Sequence, residues 1–285
     1  MPERPELEYV VPILDRELRG LEIAGVRVRK PVVLRLLVAG TPDRLLLGRR
    51  FDGVTRRAHF VLFALAGTPP LELVVHPMLA GRFALSAAAD RAPADLALGL
   101  QLGDGRELRY RDDVQMGKVY LVAPSDRGKV PGLSTIGVDV LDPTLFTIDR
   151  FLELARRRRD QVKVFLLDKS VLDAMGNAYA DEVLWAARIH PKAMVRKLSD
   201  DELVRLHGAI VEVLRNGRDE VARRQLPIDE KVRDFLEVRG REGQPCRRCG
   251  SKLRRARVHA DDSIFCPACQ PDSRGSSIVD WRKLS

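Results

Sequence analysis

A multidomain α+β fold is what this sequence predicts: an N-terminal β-sandwich, then a helical domain, then a small C-terminal hairpin module. Three observations predict it. Residues from about 5 to 130 carry short apolar runs that alternate with polar residues and are broken by Gly, Pro and Asp, the pattern of half-buried strands. From Thr147 to about Asn216 the apolar spacing lengthens to that of amphipathic helices. The four cysteines of the chain, Cys246, Cys249, Cys266 and Cys269, all lie near the C-terminus as C-x2-C, sixteen residues, C-x2-C.

Taken in order, the first element is a helix over Glu6–Arg19, with Val10, Leu14 and Leu18 on one stripe. Strands follow over Leu21–Val28, Arg50–Val54, Phe60–Ala66, Leu71–Val75, Arg82–Ser86, Leu96–Leu102 and Val119–Val122. Turn signals such as Gly103-Asp104-Gly105 separate them. A Gly/Pro-containing connector covers Val130–Pro143. Thr147-Ile148-Asp149 then offers a helix N-cap, and Phe151, Leu152 and Leu154 begin an apolar face. Leu203, Leu206, Ile210 and Leu214 repeat that face. The predicted boundaries are 1–130 for the sandwich, 131–146 for the connector, 147–238 for the helical domain, 239–273 for the cysteine module and 274–285 for a loose tail. The run Arg156–Arg159 reads as a solvated helix face.

The cysteine spacing fits a four-thiolate zinc site with one structural ion. Disulfides are the alternative, but they are disfavoured in a cytosolic chain. That placement is expected here. No apolar run approaches the ~20 residues needed to span a bilayer, and the acidic, Pro-rich start lacks the basic and apolar regions of a signal peptide. The chain has 285 residues and a formal net charge of +9, which points to an anionic partner. Arg239 to His259 holds eight Lys/Arg against the single acid Glu242. Nucleic acid is therefore the expected partner, with a nucleoid location if it is DNA.

The start of the chain, Met1-Pro2-Glu3-Arg4-Pro5-Glu6, carries the candidate chemistry. Once Met1 is removed, Pro2 presents a secondary amine. An α-amino group has a pKa near ~8, so a useful fraction is neutral at neutral pH. A neutral amine can attack a sugar aldehyde carbon to give an iminium, and Glu3 and Glu6 can move protons beside it. Read alone, the hexamer also suits a stiff, solvated arm.

Several motifs occur in a fixed order: Met1-Pro2-Glu3-x-Pro5-Glu6-x-Glu8, Ile136-Gly137-Val138-Asp139 and Val162-Lys163-Val164-Phe165-Leu166-Leu167-Asp168. Gly176-Asn177-Ala178-Tyr179-Ala180-Asp181-Glu182, Ile189-His190-Pro191 and Gly240–Cys246 follow. With these motifs the chain resembles the Fpg/Nei family of DNA glycosylases and AP lyases over nearly its whole length. The resemblance implies two lobes with DNA in the cleft between them, a helix-two-turn-helix in the helical domain, a monomer, and no organic cofactor. It implies that Pro2 attacks C1′ of a damaged nucleotide or abasic site, Glu3 shuttles the proton and Glu6 supports the terminus. Lys163, Asn177 and Tyr179 would hold the flanking phosphates, and extrusion of the nucleotide would expose C1′.

The sequence departs from the family at several positions. His59 stands where the family has a phosphate-holding lysine, and an imidazole does not replace a fixed ammonium. Leu79 takes the place of a methionine wedge, with Met78 adjacent. Val114, Gln115 and Met116 replace residues that would supply guanidinium groups to the orphaned opposite base. Asp261, beside Asp262, replaces a finger arginine, leaving Arg254, Arg255 and Arg257 as candidate phosphate contacts. The stretch 217–239 is short where some relatives carry a loop over the flipped base. The expectation is a glycosylase/lyase with altered substrate choice, favouring single-stranded, gapped or abasic DNA, where little stacking must be broken. The alternative is a catalytically silent DNA-binding member of the same family. A zinc-ribbon RNA-binding protein is a third reading, and it leaves the N-terminal hexamer unexplained.

Overall fold

A computed structural model of the chain describes residues 2–173 and 175–272. The tail expected over 274–285 lies outside the described residues. Two compact units are defined by internal contacts: residues 2–136 with Gly217–Val232, and Gly137–Asn216 with residues 233–272.

The first unit opens with helix α1, Arg4–Leu18. It begins two residues before the expected Glu6 because Glu3 and Glu6 form a reciprocal capping box and Pro5 occupies the first turn, where a missing N–H costs nothing. The strands are β1 (Ile23–Val28), β2 (Leu34–Leu36), β3 (Arg50–Arg57), β4 (Phe60–Ala66), β5 (Leu71–His76), β6 (Arg82–Ala87), β7 (Leu96–Leu102), β8 (Arg106–Arg111) and β9 (Lys118–Val122), with a short helix α2 (Pro42–Leu46) before β3. They form a five-stranded sheet, β2-β9-β5-β4-β3, and a four-stranded sheet, β1-β7-β8-β6. Only β2 and β9 pair in parallel. One apolar core joins the sheets: Phe51, Phe63, Leu73 and Leu121 meet Phe83, Leu98, Leu100 and Leu108. Leu7, Val10, Leu14 and Leu18 of α1 belong to the same core, so α1 is packed onto the sandwich.

Two strands escaped the sequence reading. β2 is three residues long. β8 reads Arg-Glu-Leu-Arg-Tyr-Arg, yet its four central residues are buried. Charge pairing inside the sheet explains it: Arg109 Nε donates to Glu107 Oε2 at 2.6 Å, and Arg27 approaches Glu107 Oε1 at 3.5 Å. Gly99 makes room for that carboxylate, since a Cβ there would lie 2.5 Å from Glu107 Oε1.

In the second unit Thr147 caps α3 (Ile148–Arg156) as expected, its hydroxyl accepting from Arg150 N at 3.2 Å. α4 (Val162–Leu167), α5 (Asn177–Ala186) and α6 (Asp200–Arg224) follow, the last belonging to this unit as far as Asn216. Phe151, Phe165, Leu166, Tyr179, Leu184, Leu206 and Ile210 form their shared core. Gly137 must be glycine, because a Cβ there would lie 2.2 Å from the Val171 carbonyl carbon. Its N–H donates to Lys169 O at 2.9 Å, which fastens the end of the connector to this unit. The cysteine module is the antiparallel hairpin β10 (Arg254–Val258) and β11 (Asp261–Phe265).

The stretch Gly217–Val232 groups with the sandwich rather than with the helical domain. Ile228 packs on the sandwich core, Tyr9 Oη donates to Leu226 O at 2.9 Å, and Arg111 pairs with Asp229 at 2.8 Å. Among the described residues no helix is long and apolar enough to cross a membrane.

Candidate functional site

At the head of α1, Pro2 is half-buried while Glu3 and Glu6 are both buried. Glu3 N–H donates to Glu6 Oε2 at 2.8 Å. The positive end of the helix stabilises both carboxylates there. Beside them a single carboxylate oxygen, Oε1 of Glu8, receives two arginines, Arg4 Nε at 3.1 Å and Arg56 Nη2 at 3.2 Å. Arg56 also donates to Ala58 O at 2.5 Å, so the β3–β4 turn is tied to the N-terminal helix. Pro2 and Glu6 line a cavity of about 20 Å³ with Gly81, Arg82, Ile228 and Asp229, room for about one water. An amine, two carboxylates and a water-sized space are the components of iminium chemistry with proton transfer.

Two loops of the same unit converge on one phenol. A Cβ on Gly81 would lie 2.3 Å from Tyr110 Oη, and one on Gly117 would lie 1.9 Å from it, so both positions require glycine. Burial, with the Asp112 carboxylate adding, pushes the Tyr110 hydroxyl well above an ordinary phenol pKa. Asp112 is buried and closes its own loop by accepting from Gln115 N at 3.0 Å and Gly117 N at 2.7 Å. The loops carry Leu79, Val114 and Met116, which are 56%, 50% and 41% exposed. These are the apolar positions the sequence singled out, and no guanidinium stands among them.

His59, which stands where the family has a phosphate-holding lysine, lies inside the fold. It is buried, its ring 4.2 Å from that of His76 and 4.7 Å from that of Phe60. His76 Nδ1 in turn accepts from Met78 N at 3.1 Å. The imidazole pair therefore supports the Met78-Leu79 loop from inside.

Lys163, expected from the resemblance to hold a flanking phosphate, lies inside as well. It is fully buried: its Nζ donates to Asp181 Oδ1 and to Asp262 O, each at 2.7 Å. Burial lowers its pKa, and the charge and hydrogen bond of Asp181 oppose that. An ammonium enclosed by two such acceptors is not presented to a phosphate. Asp181 collects three further donors: Ser263 Oγ at 2.6 Å, Arg239 Nη1 at 2.9 Å and Ile264 N at 3.0 Å. Its neighbour Glu182 is buried and accepts from Glu237 N, Val238 N and Arg239 N at 2.7, 3.0 and 2.8 Å. Burial pushes Glu182 up to about 7 against those three donors.

Tyr179 is fully buried in the helical core, so its ring is structural here. Asn177 stands half-buried at the first turn of α5, with a buried Oδ1 that has no hydrogen-bond partner among the described residues. On the hairpin Arg254, Arg255 and Arg257 are all exposed. Arg255 is held by Glu242 and by Asp262 at 3.1 Å, and Arg257 donates to His259 O at 3.3 Å. The side chain of Arg254 makes no hydrogen bond or ion pair among the described residues.

The four cysteines are free thiols whose Sγ atoms all lie within 4.8 Å of one another. A tetrahedral zinc with Zn–S near ~2.3 Å needs sulfurs roughly 3.8 Å apart, so this set fits one structural zinc ion. Cys269 N donates to Cys266 Sγ at 3.4 Å, as suits a thiolate ligand. The finger packs on α5 through Val238, Cys246, Leu253, Ile264, Cys266 and Trp185. Asp181 and Glu182 stand in the Gly176–Glu182 motif, where the sequence alone assigns them no role. Two adjacent acids on an otherwise apolar helix were the available signal. The wall that Ile228 and Asp229 make beside Pro2 left no such signal, because it depends on a long-range ion pair.

Three family models match: the formamidopyrimidine-DNA glycosylase N-terminal domain over residues 1–119, its H2TH domain over 136–223, and the zinc finger found in FPG and IleRS over 243–271. A formamidopyrimidine-DNA glycosylase of Pelotomaculum thermopropionicum is 33% identical over 279 residues, covering 95% of this chain and 99% of that protein. One from Moorella thermoacetica is 36% identical over 266 residues, covering 90% and 95%. Among solved structures, a Lactococcus lactis FPG mutant in complex with Fapy-dG containing DNA has a TM-score of 0.85 at 26% identity, covering 95% of this chain and 100% of that one. The order sandwich, helix-two-turn-helix and zinc finger thus defines the class. The chain belongs to the formamidopyrimidine-DNA glycosylase (Fpg) family.

Proposed function

We propose that this chain is a DNA repair glycosylase with abasic-site lyase activity that works through the Pro2 amine. The observation that carries the reading is the half-buried Pro2 at the head of α1 with the buried carboxylates of Glu3 and Glu6 beside it. Once Met1 is removed, the Pro2 nitrogen attacks C1′ and the base leaves with the electron pair of the glycosidic bond. Ring opening gives an iminium, which acidifies the C2′ hydrogen. Glu3 takes that proton and the 3′ phosphate departs in β-elimination; a second elimination releases the 5′ phosphate. Glu6 orders Glu3 through the capping box. The relatives named formamidopyrimidine-DNA glycosylase, and the solved complex of Lactococcus lactis FPG with an oxidised pyrimidine containing DNA, support DNA as the partner.

Substrate choice in this reading leans toward abasic, gapped or single-stranded DNA. Leu79, Val114 and Met116 offer apolar stacking and no guanidinium to pair with an opposite base. Lys163 and His59 are buried, and Asp261 and Asp262 lie exposed on the hairpin. That leaves Asn177, Arg254 and Arg257 as the candidate phosphate contacts. The grip on an intact duplex should therefore be weak, and substrates that need little unstacking gain most. The test is strand cleavage of one abasic oligonucleotide offered single-stranded, gapped and fully paired. Wild-type protein should cut all three, the paired form slowest, and Pro2→Gly should cut none appreciably. Binding without cleavage by the processed protein would instead favour the catalytically silent alternative.

A further inference from the structure

The zinc site of this chain has a neighbour outside the four thiolates. Trp185 on α5 directs its indole Nε1 at Cys246 Sγ, 3.5 Å away. An indole nitrogen has a hydrogen to give and no lone pair to accept with, so the sulfur is the acceptor in this contact. Arg248, two residues after Cys246, stacks its guanidinium 3.8 Å from the Trp185 ring centroid and donates from Nη1 to Trp185 O at 3.0 Å. A cation over the ring face draws density from the indole and makes its N–H a stronger donor. The stack also holds the ring in one orientation.

The same side of α5 binds the finger at further points. Asp181 and Trp185, four residues apart, lie on one face of α5, and Ile189 follows just beyond its C-terminal end. Asp181 receives β11, and Ile189 O accepts from Gln270 Nε2 at 2.9 Å. Gln270 is fully buried and its Oε1 accepts from Cys266 N at 2.9 Å. Cys246 and Cys266, the two buried cysteines, are thus each reached from the α5 side, one through its sulfur and one through its amide.

We propose that Trp185 supports the zinc centre from outside the four thiolates, its indole N–H holding the Cys246 sulfur and Arg248 fixing that indole. The hydrogen bond orients one thiolate and stabilises its charge, so it leaves the metal more slowly. It also makes α5, whose first turn carries Asn177, part of the support of the metal. Trp185 acts on the metal through Cys246 and is in this sense a positioning residue.

The test uses full-length protein with zinc exchanged for cobalt, whose sulfur-to-metal charge-transfer band reports the donor strength of the thiolates. Trp185→Phe keeps an aromatic ring under Arg248 and deletes only the N–H. The band should move to lower energy in that variant, and a competing chelator should show zinc affinity reduced about tenfold or more. A band at the wild-type position overturns the proposal whatever the chelator shows, since faster zinc loss alone would follow from loosened packing. A second measurement leaves Trp185 untouched. In a Trp281→Phe background Trp185 is the remaining tryptophan of the two. Its emission should change in step with zinc extraction, and emission that ignores the metal would overturn the proposal as well.

Discussion

Replacing Asp181 by Asn tests whether a buried charge cluster holds the finger on α5. Asp181 and Lys163 are both fully buried and meet at 2.7 Å. Asp181 also accepts from Ser263 Oγ, Arg239 Nη1 and Ile264 N at 2.6, 2.9 and 3.0 Å. Asparagine retains one acceptor oxygen and turns its NH2 toward groups that are themselves donors. Hydrogen bonds to charged groups contribute about 1.5–3 kcal/mol each, and breaking a buried pair by removing one partner costs roughly 3–5 kcal/mol. The expected loss is therefore about 3–5 kcal/mol, read as urea unfolding of the second unit near neutral pH. Lys163→Met should cost less, since three donors still satisfy Asp181. Lys163→Met combined with Asp181→Asn should be less damaging than the sum of the two. An Asp181→Asn protein within about 0.5 kcal/mol of wild type, the range of neutral surface changes, would refute the reasoning.

Three other outcomes follow from the same geometry. Glu182 is pushed up to about 7 from 4.5, so the folded state holds a proton that the unfolded chain releases; its stabilising share is greatest at low pH and is lost as pH rises through that window. Unfolding free energy measured across it should fall with pH in wild type and fall less in Glu182→Gln; equal slopes would count against the assignment. Arg254 has no ion pair among the described residues, so Arg254→Ala should flatten the plot of log affinity for DNA against log salt by about one phosphate contact, whereas an unchanged slope means it touches no phosphate. Chelation of zinc should unfold the hairpin and weaken DNA binding while the sandwich keeps its unfolding transition; loss of both together would mean the finger supports more of the chain than its contacts indicate.

How far the sequence carried depends on whether a feature is local. α1, β4 and β7 follow from apolar periodicity, and the metal site follows from cysteine spacing, because each is written in adjacent residues. β8 was hidden because two of its four buried positions, Glu107 and Arg109, are charged; they pair with each other, and Arg27 approaches the same carboxylate. Lys163 matched a motif position by type and His59 departed from one, but for both the exposure is set by distant partners, Asp262 for one and His76 for the other. The same is true of Gly217–Val232, whose membership of the first unit rests on Ile228 and on the Arg111–Asp229 pair.

The central claim concerns one nitrogen. Processed protein mixed with an abasic oligonucleotide and reduced with borohydride should yield a stable cross-link, and peptide mass mapping should put the added sugar on Pro2. A cross-link mapped to a lysine, or none from protein whose N-terminus is shown to be Pro2, would contradict the account.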